Sequence, residues 1–201
     1  MWDRIKDQAK NLQQSRGGQG AGGQGQGHGF GSGGSGGPGG SGGPGGSGGS
    51  GGGGGSKAQL VGLLKSQLSA AKAELKSGAY RDASMAMCAL VAAADGQVDA
   101  SERRQMETLI VGNDVLQNFP PDQLRQRFNR HVDRIMANPA AGRAEAMQEV
   151  AKAAKKPSEA RAVIQTGIVI AGADGYIAQA EQHVIREACA TLGISPAEFS
   201  I

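Results

Sequence analysis

The chain has 201 residues and a formal charge of +3, with 19% charged and 3% aromatic residues. So few aromatic rings remove the stacking platforms that single-stranded nucleic acid needs. No stretch reaches the roughly 18–20 apolar residues of a membrane span, and no apolar core follows the first charges as in a secretory signal. The only two cysteines, Cys88 and Cys189, sit in apolar runs without CxxC spacing, which reads as reduced, buried thiols of a cytoplasmic protein.

Residues 1–16 hold Trp2, Ile5, Ala9 and Leu12 at helical spacing, with Arg4, Lys6, Asp7 and Lys10 on other faces. They predict a short amphipathic helix, too short to persist alone in water. It therefore needs a membrane, a partner or the chain's own domain to fold on, and Trp2, Ile5 and Leu12 are the candidate contacts. A frayed terminus without a role is the plain alternative. Residues 17–56 contain 26 of the 35 glycines and no Lys, Arg, Asp or Glu. This composition cannot bury enough apolar surface to offset its ordering entropy. It predicts a disordered tether with a root-mean-square span of roughly 35 Å.

Residues 57–201 form the expected domain. They carry 17 basic and 16 acidic groups, a near-neutral balance that argues against a nucleic-acid partner. Helical periodicity runs throughout. Leu60, Leu64, Leu68 and Leu75 make a stripe closed by Gly78; Ala83, Met87, Leu90 and Val91 make the next. Met106 and Ile110 follow, stopped by Gly112. Pro121 opens a helix whose buried face is Leu124, Phe128, Val132 and Ile135, ended by Pro139. Met147 and Val150, then Val163, Ile164 and Ile168, then Val184, Ile185 and Leu192 before Gly193, complete the set. Ser195-Pro196-Ala197-Glu198 reads as a capping box for a last turn. Nothing alternates with period two, so the expectation is an all-α bundle of about seven helices.

Two segments repeat 79 residues apart: Ala94-Asp95-Gly96-Gln97-Val98-Asp99-Ala100-Ser101-Glu102 and Ala173-Asp174-Gly175-Tyr176-Ile177-Ala178-Gln179-Ala180-Glu181. Each predicts a helix–turn–helix corner. Gly tolerates the positive φ that ends the incoming helix, and Glu sits in the first turn of the outgoing one, at the positive end of its dipole. Asp99 with Glu102 also fits a cap. The same spacing matches the second half of an EF-hand loop. The first half is missing, with Val91 and Ala93, or Ile170 and Gly172, where acids belong. Calcium or another divalent cation held by Asp95, Asp99 and Glu102 stands beside carboxylates that only terminate helices. Copy two, with Ala178 in place of Asp99, is the poorer site, though the two corners could pool their carboxylates at one surface.

Cys88-Ala89-Leu90-Val91-Ala92-Ala93-Ala94-Asp95-Gly96 and Gly167-Ile168-Val169-Ile170-Ala171, leading to Asp174-Gly175, resemble two signatures of the tellurite-resistance TerB family. Gly142–Met147, Pro157–Arg161 and the ending Cys189–Phe199 resemble its other segments, over about residues 80–201. The resemblance implies a seven-helix, non-enzymatic cytoplasmic protein of a tellurite and metal-stress response. It implies work beside calcium-binding TerD-like proteins and a TerC-like membrane protein. A similar domain opens a membrane-linked J-domain co-chaperone. The family's suspected cation sites map to Asp95, Asp99, Glu102, Asp174 and Glu181, with Ala178 and Ala180 departing from its acidic pattern.

Three further constellations stay weak. Thiol chemistry on tellurite would need an exposed, low-pKa cysteine, against the apolar neighbours of Cys88 and Cys189. Arg127, Arg130 and Arg134 share a face beside His131 and could meet phosphates, although Asp122 and Asp133 dilute the charge. His28, His131 and His183 form no zinc pattern, and no nucleophile elbow, Walker loop or dinucleotide fingerprint occurs. The chain reads as a protein-interaction or cation-responsive module near the membrane, with a purely structural adaptor and a thiol-dependent detoxifier as the alternatives.

Overall fold

Helices follow one another from end to end in the computed structural model, which describes residues 53–201, with side chains from residue 57. The seven helices are α1 (Gly53–Ala71), α2 (Gly78–Ala92), α3 (Ala100–Val111), α4 (Pro121–Ala137), α5 (Pro139–Ala151), α6 (Pro157–Ala171) and α7 (Gln179–Leu192). Short 3₁₀ turns at Leu116–Asn118, Lys152–Lys155, Gly172–Asp174 and Pro196–Phe199 join or end them, and the described residues contain no strand. The fold is thus the all-α bundle the periodicity implies. The amphipathic segment with Trp2, Ile5 and Leu12 lies outside the described residues, as does the glycine tract up to residue 52. Helix α1 begins four residues ahead of the expected domain start at 57.

Helix α2 is the centre. Residues 83–93 are buried without exception, because α4, α5 and α6 pack against it and α7 reaches it as well. A helix apolar on every face can only be stable when surrounded in this way. The Tyr80 and Thr166 hydroxyls, buried with it, are paired: the Tyr80 hydroxyl meets Thr166 Oγ1 at 2.8 Å, and Thr166 donates to the Ala162 carbonyl. Small residues let helices close in. A Cβ on Gly142 would stand 2.5 Å from backbone atoms of Arg134 and Ile135, so α4 and α5 touch backbone to backbone there. Helix α1 lies on α6 and on the turn after it, where Val61 occupies the space a Cβ on Gly172 would need.

Several boundary residues differ from expectation. Gly78 does not close the first stripe. Helix α1 stops at Ala71, and Gly78 opens α2 under the cap Ser77, whose Oγ accepts from Tyr80 N. Ser77 also donates to Glu159 Oε2 at 2.9 Å, while Lys156 Nζ holds Glu159 Oε1 at 3.0 Å. These two bonds account for a carboxylate buried where two helices begin. The Ser195 capping box does not form, because Glu198 turns to Arg161 Nε at 3.1 Å. Pro121 and Pro139 open helices as first-turn prolines should.

Candidate functional site

Each repeated segment makes the corner its residues call for. Gly96 and Gly175 hold φ of 91° and 84°, the left-handed region that glycine enters at no steric cost. Asp95 Oδ1 accepts from Gln97 N at 3.1 Å, and Asp174 Oδ1 accepts from Tyr176 N at 3.0 Å. The branched residue then turns inward: Ile177 is buried and Val98 is half-buried against the core.

The outgoing helices separate the two copies. In copy one, Asp99 Oδ1 accepts from Ser101 N and Glu102 N at 2.7 and 2.8 Å, and Glu102 Oε2 accepts from Asp99 N at 2.8 Å. This is a complete reciprocal cap. In copy two, Ala178 has no oxygen to offer, and only the return bond survives, from Ala178 N to Glu181 Oε2 at 2.7 Å. Asp99 and Glu102 therefore cap the start of α3.

Asp95 does not gather with Asp99 and Glu102 around one ion. It lies beside the other copy. Asp95 and Glu181 line one cavity of about 40 Å³, walled by Val91, Ala92, Ala94, Ala178 and Ala180. Two corners 79 residues apart in sequence thus share a wall. Asp95 and Asp174 are exposed, but Glu181 is only 5% exposed, so this carboxylate is not projected into solvent as the repeat suggested. Burial pushes its pKa up to about 7; the bond from Ala178 pulls the other way, and the negative charges of Asp174 and Asp95 push it further up. Among the described residues no three His, Cys, Asp or Glu side chains converge to hold a metal ion. Asp95 and Asp174 each cap their own corner, Asp99 and Glu102 form the reciprocal cap of α3, and Glu181, the one buried carboxylate of the five, holds the first turn of α7.

The remaining candidates settle elsewhere. Cys88 and Cys189 are free and buried, and burial pushes their thiols up to about 12 and about 11. Neither offers the thiolate that thiol chemistry requires at neutral pH. The arginine face of α4 is largely engaged: Arg127 Nε meets Asp82 at 2.5 Å and Arg134 Nε meets Glu145 at 3.4 Å. His131 is buried among them, and burial, then Arg130, lowers its pKa. No helix among the described residues is long and apolar enough to cross a membrane.

These features define a class: a small helical bundle built around a duplicated helix–corner–helix unit whose acidic corners meet. A family model described as "Tellurite resistance protein TerB" matches residues 81–201, and the chain belongs to that family. No curated protein and no solved structure matches it.

Proposed function

We propose that the protein is a non-catalytic docking module of the tellurite and metal-stress response, whose paired corners hold a cationic group of a protein partner. The single observation that supports this reading is the cavity shared by Asp95 and Glu181. Burial holds Glu181 partly protonated at neutral pH, so a cation in the cavity must displace that proton and offset the desolvation through its attraction to both Asp95 and Glu181, which lie on the same cavity wall. About 40 Å³ with alanine and valine walls suits one ammonium on an aliphatic stem. Calcium takes six to eight oxygens. A divalent ion is therefore the second reading, with Asp95 and Glu181 as a bridge and the partner completing the shell. Partners of this kind belong to the same resistance system, TerC-like and TerD-like proteins among them, and Trp2, Ile5 and Leu12 supply a peripheral contact with membrane or partner.

The test is amide chemical shifts of the full chain titrated separately with a pentalysine peptide and with calcium. Shifts at Gln97, Ala178 and Ala180 with pentalysine, lost in Asp95→Asn with Glu181→Gln, are expected. Saturable shifts at the same amides with calcium alone favour the ion. Silence with both ligands at millimolar concentration overturns the reading. For the N-terminal contact, equal co-sedimentation of wild type and Trp2→Ala with liposomes dismisses Trp2 as an anchor.

A further inference from the structure

The acidic cavity adjoins a larger groove. Ala94 and Ala180, which line it, also line a groove of about 440 Å³ bordered by Arg143, His183 and Arg186. Arg143 in turn borders a third depression, of about 390 Å³, floored by Ala144, Met147 and Ala190. Neighbouring depressions share lining residues: the first lies between the end of α2 and the start of α7, and the other two lie between α5 and α7, which pack side by side. Along α7 the lining includes Ala180, His183, Glu187 and Thr191 at helical spacing, with Gln179, Val184, Arg186 and Ala190 beside them. Eleven residues of helix span roughly 16 Å.

The charge of this groove changes sign along its length. Its head carries Asp95 and Glu181. Its middle carries two arginines and His183, offset by Glu187, which Arg143 Nη2 contacts at 3.3 Å and His183 Nε2 at 3.4 Å. Arg186 contacts only the Gln182 amide oxygen, at 3.3 Å, and no carboxylate among the described residues. It is the open cation of the middle stretch. The far end is apolar around Met147.

We infer that this groove is the docking site of an amphipathic helix of a protein partner, carrying a lysine, an acidic residue one turn on, and an apolar residue one turn further. The lysine meets Asp95 and Glu181, the acid meets Arg186, and the apolar side chain covers Met147. The order follows from charge complementarity, and intervals of about one turn follow from the rise along α7 from Glu181 to Arg186 and on to Ala190, roughly 7.5 and 6 Å. An anionic lipid surface or a nucleic acid presents one sign of charge and is repelled by the acidic stretch. The inference rests on the proposed docking role only at its acidic end.

Three acetylated, amidated alanine-based peptides test it against the full chain, read by amide shifts and dissociation constants. The first carries Lys, Glu four residues later and Leu four further; the second has the order Leu, Glu, Lys; the third has Glu, Lys, Leu. At least one of the first two, whichever direction the helix takes, is expected to shift amides at Ala94, Ala180, Arg186 and Ala190 together. The third matches the groove in neither direction and is expected to bind about fivefold more weakly or less, the scale of one exposed charge pair made repulsive. Arg186→Glu, at an exposed position, is expected to cost the matching peptide the same factor. Equal affinity for all three orders overturns the inference. Shifts confined to the Asp95 corner and indifferent to Arg186→Glu overturn it too, while leaving the docking role of the corners standing. Concentration-dependent shifts of these amides without any peptide mean that a second copy of the chain fills the groove, which also overturns it.

Discussion

Asp95 and Glu181 leave different helix corners and arrive at the two sides of one small cavity, where the first stays in solvent and the second is almost fully buried. Their pairing turns two local caps into a single electrostatic unit.

That unit makes stability depend on pH with an unusual sign. Burial raises the Glu181 pKa from 4.5 to about 7 in the fold. The protonated acid is the form the fold prefers, so its contribution is complete below pH 4.5 and is lost as pH rises through 7. Glu181→Gln keeps an acceptor for Ala178 N and removes the ionisation. The variant is expected to be about 1–3 kcal/mol more stable than wild type near pH 8, and to match it near pH 4.5. Urea unfolding at both pH values checks this, and parallel curves at both contradict it.

His131 acts on the opposite limb. Its lowered pKa, set first by burial and then by Arg130, favours the neutral ring in the fold. Stability from this group is full above pH 6.5 and falls as the pH drops below it. The groups that face it, Glu149, Asp82 and Glu145, oppose the shift without reversing it. His131→Gln is expected to flatten the acid limb of the stability profile while leaving the alkaline limb to Glu181. An unchanged acid limb would show that the ring takes up its proton in the fold as readily as in the unfolded chain.

The two copies also differ in how firmly their helices start. Asp99→Ala removes bonds to two amides and is expected to cost about 0.5–2 kcal/mol. Ala178→Asp supplies the matching cap to α7, but places a fourth carboxylate near Asp95, Asp174 and Glu181. Its gain is therefore expected to emerge at high ionic strength, where the repulsion is screened, and to shrink at low salt. A salt-independent effect on thermal midpoint would exclude crowding of charge at the corners.

Much of this was legible from residue order, and the limits are physical. Gly96 and Gly175 announce themselves, because positive φ is a local demand on a single residue. The burial of Glu181 could not be read the same way: it depends on Asp95 and Ala92 packing against a helix that begins some eighty residues later. Ser195 and Glu198 show the converse, a sound local cap given up for a partner on α6. Gly78 read as a stop because a glycine after a leucine stripe has that meaning in isolation, yet Ser77 beside it supplies the stronger cap. The groove along α7 escaped notice since Arg143 and Arg186 belong to different helices and share no pattern.

The buried thiols give a sharp expectation. With Cys88 and Cys189 pushed up to about 12 and about 11 and shielded from solvent, a disulfide-exchange reagent is expected to label neither in the native state at neutral pH and both in urea. Tellurite added to native protein is expected to leave both thiols intact, and Cys88→Ser with Cys189→Ser to leave resistance unchanged. Rapid native labelling of either cysteine would reopen thiol chemistry.

Close approach of helices decides the last comparison. Gly142 and Gly167 both lack room for a methyl group, but the neighbours differ in kind. At Gly167 the obstacle is the Met87 side chain, whose Cγ and Cε each stand 2.8 Å from the added carbon. Methionine has three rotatable bonds and can withdraw, so Gly167→Ala trades a modest repacking cost against the helix propensity of alanine, and a net loss below about 1.5 kcal/mol is expected. At Gly142 the obstacle is the α4 backbone at Arg134 and Ile135, 2.5 Å away, which cannot rotate aside. The two helices must separate, and the contacts of Ile135 and Ala146, both buried beside the seam, loosen with them. Gly142→Ala is expected to cost at least about 2–3 kcal/mol, and its thermal midpoint to fall well below that of Gly167→Ala. Equal midpoints would mean that α4 and α5 give way as easily as a methionine side chain, and the backbone contact at Gly142 would then not be what sets their spacing.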